Sequence, residues 1–364
     1  MPEPSRRPAP AVVAVSLGAV AVVLAVVAYV VVKLLVPDTG LQQAVRLLPP
    51  GTLRVSYTDW PEVVAEAKGS GITASSKDRA IEDFLGRAYD KDLTASSSLV
   101  DSFTALGRAY GVTPADAEWE VYGQSRDGSV AILKLKDGVS LDDLRSAIAG
   151  LGYQTPTGGA SSDGTWVGTP EIVAAQSPIL TPQQQNLAVI GDERLFVMSD
   201  QPEYVDTAVS TITGSADDLS SVSGVSDLVD IAGTPVEAEM WTRDFACEDL
   251  AMSQADASDQ DTAAALTAEA GGVHPLDGLV MAQQPSGSLT LGMAFADEDQ
   301  ASADLQPRTD LASGAAPGQG GSFAERFEVT DSTADGRSIT MTLEPREDRV
   351  LSDIAQGPVL FATC

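Results

Sequence analysis

The stretch Leu47-Leu48-Pro49-Pro50-Gly51-Thr52-Leu53-Arg54-Val55-Ser56-Tyr57-Thr58-Asp59-Trp60 sets the reading of the folded region. Leu53, Val55 and Tyr57 alternate with Arg54 and Ser56, the period-two pattern of a half-buried strand. Asp59 then stands at a helix N-cap with Glu62 three residues on, a capping box that would satisfy free amides at the helix start. The same junction recurs far downstream. Val236-Glu237-Ala238-Glu239-Met240-Trp241 reads as a strand and runs through Thr242-Arg243-Asp244-Phe245 into a second helix.

Working outward from the first junction, helical spacing predicts helices at 77–88 and 98–110. In the second, Leu99, Phe103, Leu106 and Tyr110 share a face and Gly111 is the stop. Strands at 119–123 and 129–135 flank Arg126-Asp127-Gly128 as a hairpin, followed by a helix at 141–151 and a Gly/Ser/Thr-rich loop at 155–164. A second hairpin, 187–190 with 195–199, and a helix at 203–212 close the set. After the second junction come a helix at 244–253, a hairpin of 279–283 with 288–295, and a helix beginning after Asp297. A hairpin of 323–330 with 337–343 around Asp335-Gly336 and a helix at 347–354 complete the order.

The recurring order predicts an α+β fold built by duplication, with antiparallel or mixed sheets each packed on one side by helices. Its units would be a first module at 47–214, a connector at 215–235 and a second module at 236–364. Ordinary alternation of helices and strands is the competing explanation. The duplication makes three demands. Asp59 and Asp244 should both cap the following helix. Leu289, Leu291, Met293, Ile339, Met341 and Leu343 should be buried. Ser338, Thr340 and Thr342 should be comparatively open.

Upstream, residues 11–32 form a run of 22 uncharged, mostly apolar residues preceded by Arg6 and Arg7. At about 1.5 Å per residue it reaches roughly 33 Å, enough for a hydrocarbon core of about 30 Å. The expectation is a transmembrane helix at 11–36 held in the lipid bilayer, between a cytoplasmic tail at 1–10 and a polar stalk at 37–46. A cleaved signal peptide shares the basic start, but the run continues into Lys33-Leu34-Leu35-Val36 with no Ala-x-Ala close behind it. Both cysteines lie too far downstream for a lipobox. Arg6 and Arg7 favour an N-in orientation, which places the folded region outside the cytoplasm on the cell membrane.

The Leu-Leu-Pro-Pro-Gly-Thr opening that leads to Thr58-Asp59-Trp60 resembles uncharacterised, membrane-anchored extracytoplasmic proteins of actinobacteria. So does Gly191-Asp192-Glu193-Arg194-Leu195-Phe196-Val197-Met198-Ser199 with Pro202-Glu203-Tyr204-Val205 behind it. The resemblance implies an anchor followed by repeated α+β modules and brings no catalytic residue with it.

Charge narrows the partners. The chain carries 52 acidic and 22 basic residues, a net charge of −30, and has no Lys/Arg cluster with interleaved aromatics. A phosphate backbone needs a basic footprint, so nucleic acid is excluded as a partner. The two cysteines, Cys247 and Cys364, suit a disulfide in an exported domain, with Cys364 following an apolar strand at 359–362. Two free thiols are the alternative. If the bond forms, their Cα atoms should lie within about 7 Å of each other.

Signatures of catalysis are missing. The single histidine, His274, stands beside Pro275 in a loop. No Ser precedes a Lys by three residues, and neither a Gly-x-Ser-x-Gly elbow nor a phosphate loop occurs. Glu237 with Glu239, and Glu118 with Glu120, project in pairs from single strands, the raw material of a carboxylate hydrolase. Asp256, Asp259 and Asp261 lack the spacing and the glycine of a calcium loop, and 254–272 reads as a loop or exposed helix. The sequence therefore points to no catalytic residue, metal site or cofactor. It fits a non-enzymatic binding or scaffolding protein of the cell envelope whose partner is an envelope polymer, a peptide or another membrane protein. An extracytoplasmic hydrolase is the alternative. A pocket joining perturbed strand glutamates would favour the hydrolase, and a groove between modules would favour binding.

Overall fold

The computed structural model describes residues 37–364, so the apolar run at 11–36 lies outside the described residues. Among those described, no helix is long and apolar enough to cross a membrane. Gly40–Cys364 forms one compact unit around a single sheet.

The strands are β1 (Arg54–Thr58), β2 (Ala117–Gln124), β3 (Ser129–Leu135), β4 (Trp166–Val167), β5 (Asn186–Ile190), β6 (Leu195–Ser199), β7 (Glu237–Thr242), β8 (Gly278–Gln283), β9 (Leu289–Ala294), β10 (Phe327–Asp335) and β11 (Ser338–Pro345). They pair in the order β10-β11-β9-β8-β7-β1-β2-β3-β6-β5-β4, each neighbouring pair antiparallel. The two junction strands meet at the centre, where Ser56 pairs with Glu239 and Thr58 with Glu237. Outward from that pair the halves have the same connectivity. Three meander strands, β1-β2-β3 or β7-β8-β9, are followed by a helix and a hairpin, and the second hairpin strand returns to pair with the third meander strand. The first half carries an addition, β4 and the helix Pro170–Gln176, that the sequence reading lacked.

Alternating side chains feed cores on both faces. On one face a single apolar core runs across both halves, through Val121, Ile132 and Val197 to Met240, Val280 and Ala294. It is covered by the helices Gly40–Val45, Pro202–Ile212 and Val225–Ala232. On the other face there are two cores. One contains Phe84, Phe103, Leu133 and Phe196, the other Leu279, Leu291, Met341 and Phe361. Full burial of side chains of this size contributes roughly 1.5–3 kcal/mol each.

Several expectations change for identifiable reasons. Helices cover both faces of one sheet, so the picture of separate sheets packed on one side is replaced. The strand at 52–58 is not half-buried, because its polar face lies under the opposite layer, leaving Ser56 and Thr58 inside. The stretch read as a stalk holds the helix Gly40–Val45, whose Leu41, Ala44 and Val45 enter the continuous core. The connector is likewise structural. Its helix Val225–Ala232 lies so close to the sheet that a Cβ on Gly292 would stand 2.8 Å from Ile231.

The alternating apolar residues of β9 and β11 are buried as expected. Thr340 and Thr342 are partly open, but Ser338 is buried. Asp59 caps its helix, its Oδ1 accepting from Glu62 N at 3.1 Å. The reciprocal half of the box is replaced, since Asp59 N donates to Val236 O across the central strands. Asp244 does not cap with its side chain. Its carbonyl accepts from Cys247 N and Glu248 N at the start of a single π turn, Ala246–Leu250, instead of a regular helix. That turn is tied to the C-terminal segment, because Val359 N donates to Leu250 O and Cys247 is bonded to Cys364. The segment read as a strand at 359–362 is a 3₁₀ turn, Leu360–Ala362.

Candidate functional site

The two cores on the divided face are separated by a polar seam over β1, β2 and β7. Burial pushes the pKa of its three glutamates upward, and the effect is largest for Glu237. Hydrogen bonds oppose that shift by holding the carboxylates. Glu120 Oε1 accepts from Ser98 N at 2.7 Å, Ser98 Oγ at 3.0 Å and Leu99 N at 3.2 Å. Its Oε2 accepts from Ser97 Oγ at 2.8 Å and Trp60 Nε1 at 3.1 Å. This carboxylate explains why the expected helix at 98–110 begins only at Phe103: the Ser98 and Leu99 amides turn toward Glu120.

The seam also joins the halves. Glu237 accepts from the amides of Ala95 at 3.0 Å and Ser96 at 3.3 Å, and Thr58 Oγ1 donates to it at 3.5 Å. Glu239 Oε2 accepts from Ser56 Oγ at 2.9 Å and Arg54 Nε at 3.1 Å. Arg54 lies over the Trp241 ring at 5.1 Å from its centroid and donates to Ala355 O at 3.4 Å. Asp92, in a left-handed backbone turn with φ 59°, accepts from Ser352 N at 3.1 Å and from Ser352 Oγ, at the helix Val350–Ile354 of the other half. Burial raises the Asp92 pKa while these bonds oppose the rise.

Above the seam lies a groove of about 630 Å³ with walls from both halves. Arg54, Asp92 and Ala95 line it from the first half, together with Leu85 and Tyr89 of the helix Asp78–Asp90; Arg349, Ser352 and Gln356 line it from the second. Arg349 stacks 3.9 Å from the Tyr89 ring centroid and also bonds its hydroxyl. A neighbouring cavity of about 390 Å³ shares Asp90 and Asp92 and is lined by Gln283 and Glu347.

The residues singled out in the sequence separate clearly. Glu237 and Glu239 are together, but at 0% and 2% exposure they lie beneath the groove and do not line it. Glu118 does not accompany Glu120. A register shift between Ala117 and Trp119 leaves Glu118 in solvent while Glu120 is fully buried. Cys247 and Cys364 are disulfide-bonded, with Cα atoms 5.8 Å apart.

His274 is held by Asp304, through Nδ1 at 2.6 Å and its backbone N at 2.9 Å. Asp304 also pairs at 3.2 Å with Arg308, which donates to the carbonyls of His274, Phe361 and Thr363. Burial lowers the Arg308 pKa to about 10, against the pull of Asp304. This cluster fastens the chain end. Asp256 caps the helix Ala257–Glu269, accepting from Ser258 N and Asp259 N, and Asp259 and Asp261 are two residues apart on that helix and so diverge. Among the described residues no group of three or more His, Cys, Asp or Glu is placed to hold a metal ion.

Sequence reasoning missed Asp92, Tyr89, Arg349 and Gln283. Only Arg54, a charge opposite the apolar residues of an alternating strand, carried a signal.

No known family model and no curated protein matches the chain. Solved structures to which the chain is similar include crystal forms I and III of TP0453, each at 7% identity with a TM-score of 0.40. They cover 85% and 86% of this chain and 96% and 97% of theirs.

Proposed function

We propose that this is a non-catalytic binding protein, anchored by residues 11–36 in the cell membrane with its folded region outside the cytoplasm, which holds its ligand in the groove between two duplicated halves. One observation carries the reading: the groove takes walls from both halves, while the perturbed glutamates are sealed below it. A carboxylate hydrolase needs its acid and base within reach of substrate. Here both oxygens of Glu120 and of Glu237 are occupied by protein donors. The shared connectivity of the halves supports a duplication, and the resemblance to actinobacterial anchored proteins agrees with the anchor. Arg6 and Arg7 before an apolar run support the N-in orientation.

Photo-cross-linking in native membranes tests the binding element. Benzoylphenylalanine replaces Tyr89, which is 51% exposed in the groove, or Thr207, exposed on the opposite face. A discrete adduct from position 89 but not 207, weakened by Thr104→Trp in the groove wall, is expected. Equal adducts from both positions, or none from 89, would refute the groove as the binding element. Protection of the folded region from external protease in intact spheroplasts would refute the orientation.

A further inference from the structure

The two halves end the sheet differently. β5 and β10 hold the same place in the connectivity, each the first and outer strand of its closing hairpin. β5 is buried throughout, and its outer edge is covered by β4, which pairs antiparallel with Trp166 opposite Leu187 and Val167 opposite Asn186. Trp166 is fully buried in the divided-face core that contains Phe196. β10 ends the strand order with no such cover, and of its residues only Phe327 is buried.

The hairpin geometry fixes which groups are left over. Asp335 and Ser338 close a two-residue turn, and Phe295 N donates to Arg337 O beside the Ser338–Ala294 pair. Ser338 therefore turns its own N–H and C=O toward β10. By the same alternation Asp331, Thr333 and Asp335 face β11, and the backbones of Ser332 and Ala334 face outward. Among the described residues no backbone group bonds to them on that side. A strand edge in this state is a template for another strand.

The side chains next to the edge are also incompletely covered. Val329 and Ala334 of β10 and Leu305 of the helix Glu298–Ser313 are only half-buried against the core around Met341. Beside β5, Trp166 supplies the corresponding cover. A second copy of the chain is a poor occupant. The register shift between Val329 and Asp331 bounds the regular stretch at 331–335, and antiparallel pairing of two copies about Thr333 would set each Asp331 opposite an Asp335. Like charges directly opposite destabilise a strand pair.

We propose that the outer edge of β10 takes up an extended strand of another protein, antiparallel as β4 is on β5. That strand is free of acidic residues and directs a large apolar side chain, placed as Trp166 is, to the core around Met341. This surface is separate from the groove, none of whose lining residues lies on β10.

The test is calorimetric titration of the full chain in detergent micelles. The probe is a capped nine-residue peptide of threonine alternating with valine, with tryptophan at the central valine position and lysine at each end. Binding should come with slowed amide exchange at Ser332 and Ala334. Ala334→Pro removes an outward N–H and spares the ladder to β11, so it should weaken binding at least tenfold and leave the thermal midpoint unchanged. Ser332→Pro makes the same change at the other outward residue and serves if the first variant fails to fold. Serine in place of the peptide's tryptophan should weaken binding at least fivefold, and insensitivity to that change would overturn the apolar anchor. Thr104→Trp in the groove wall should change binding less than twofold. No binding, binding untouched by both proline variants, or a loss with Thr104→Trp as large as with Ala334→Pro would overturn the proposal. A dimer in sedimentation that Ala334→Pro dissociates would give the edge to a second copy and overturn it as well.

Discussion

The two faces of the sheet solve different problems with the same strands. On the continuous face, β1 and β7 present Val55, Tyr57, Ala238 and Met240 to one apolar core shared by both halves. On the divided face the same strands present Arg54, Ser56, Glu237 and Glu239, and the apolar cores withdraw to either side. The contrast teaches where each property resides. Apolar burial without directional demands can join the halves over a broad area, whereas the polar seam fixes register and leaves room above it.

The largest expected effect concerns the second core of the divided face, which the Cys247–Cys364 bond closes over a separation of 117 residues. Replacing both cysteines by serine should lower unfolding free energy by about 4–5 kcal/mol in the chain-entropy model. Denaturant titration checks this, and an unchanged midpoint would show that the chain end is held by Arg308 and the packing around Phe361 alone. Next in size is Met240→Ala, which opens a cavity in the continuous core. A loss of about 2–5 kcal/mol is expected. If that loss were smaller than those from seam variants, the contrast between the faces would be wrong.

Across the seam, Asp92→Ala leaves Ser352 N and Oγ without their acceptor, and a loss of about 1–3 kcal/mol is expected. Hydrogen exchange should show the helix Val350–Ile354 opening more readily in that variant, while Pro202–Ile212 on the continuous face stays protected.

The smallest effect is a pH slope. Burial raises the Glu237 pKa well above its ordinary 4.5, so the folded state keeps a proton that the unfolded chain releases. Its stabilising contribution is complete below about 4.5 and is lost as pH rises through the raised value. Stability should therefore fall with rising pH in that window. Glu120, Glu239 and Asp92 are raised as well and act with the same sign. Glu237→Gln should flatten part of the slope, and an unchanged slope would show that Glu237 is ionised in the folded protein.

Much of the strand order was legible because alternation and turn residues are local signals. The hairpin at Arg126-Asp127-Gly128, the cap at Asp59 and the stop at Gly111 are found where those signals lie. The joining of β1 to β7 was not legible, since Ser56 and Glu239 are 183 residues apart and both look solvated within their own strands. The candidate site suffered the same limit. Glu237 and Glu239 stood out as a pair, yet their burial depends on a layer from residues 92–102 and 345–356 that no local pattern brings over them. Asp92 could be recognised only through Ser352, 260 residues away.

Amide hydrogen exchange of the full chain in native-membrane vesicles, compared with the detergent-extracted protein, tests most directly the claim that the divided face is the binding face. Added protection is expected at residues 82–104, 283–289 and 345–356, with the helices Gly40–Val45, Pro202–Ile212 and Val225–Ala232 unchanged. Added protection on those three helices, or an even change over the whole acidic surface, would contradict it.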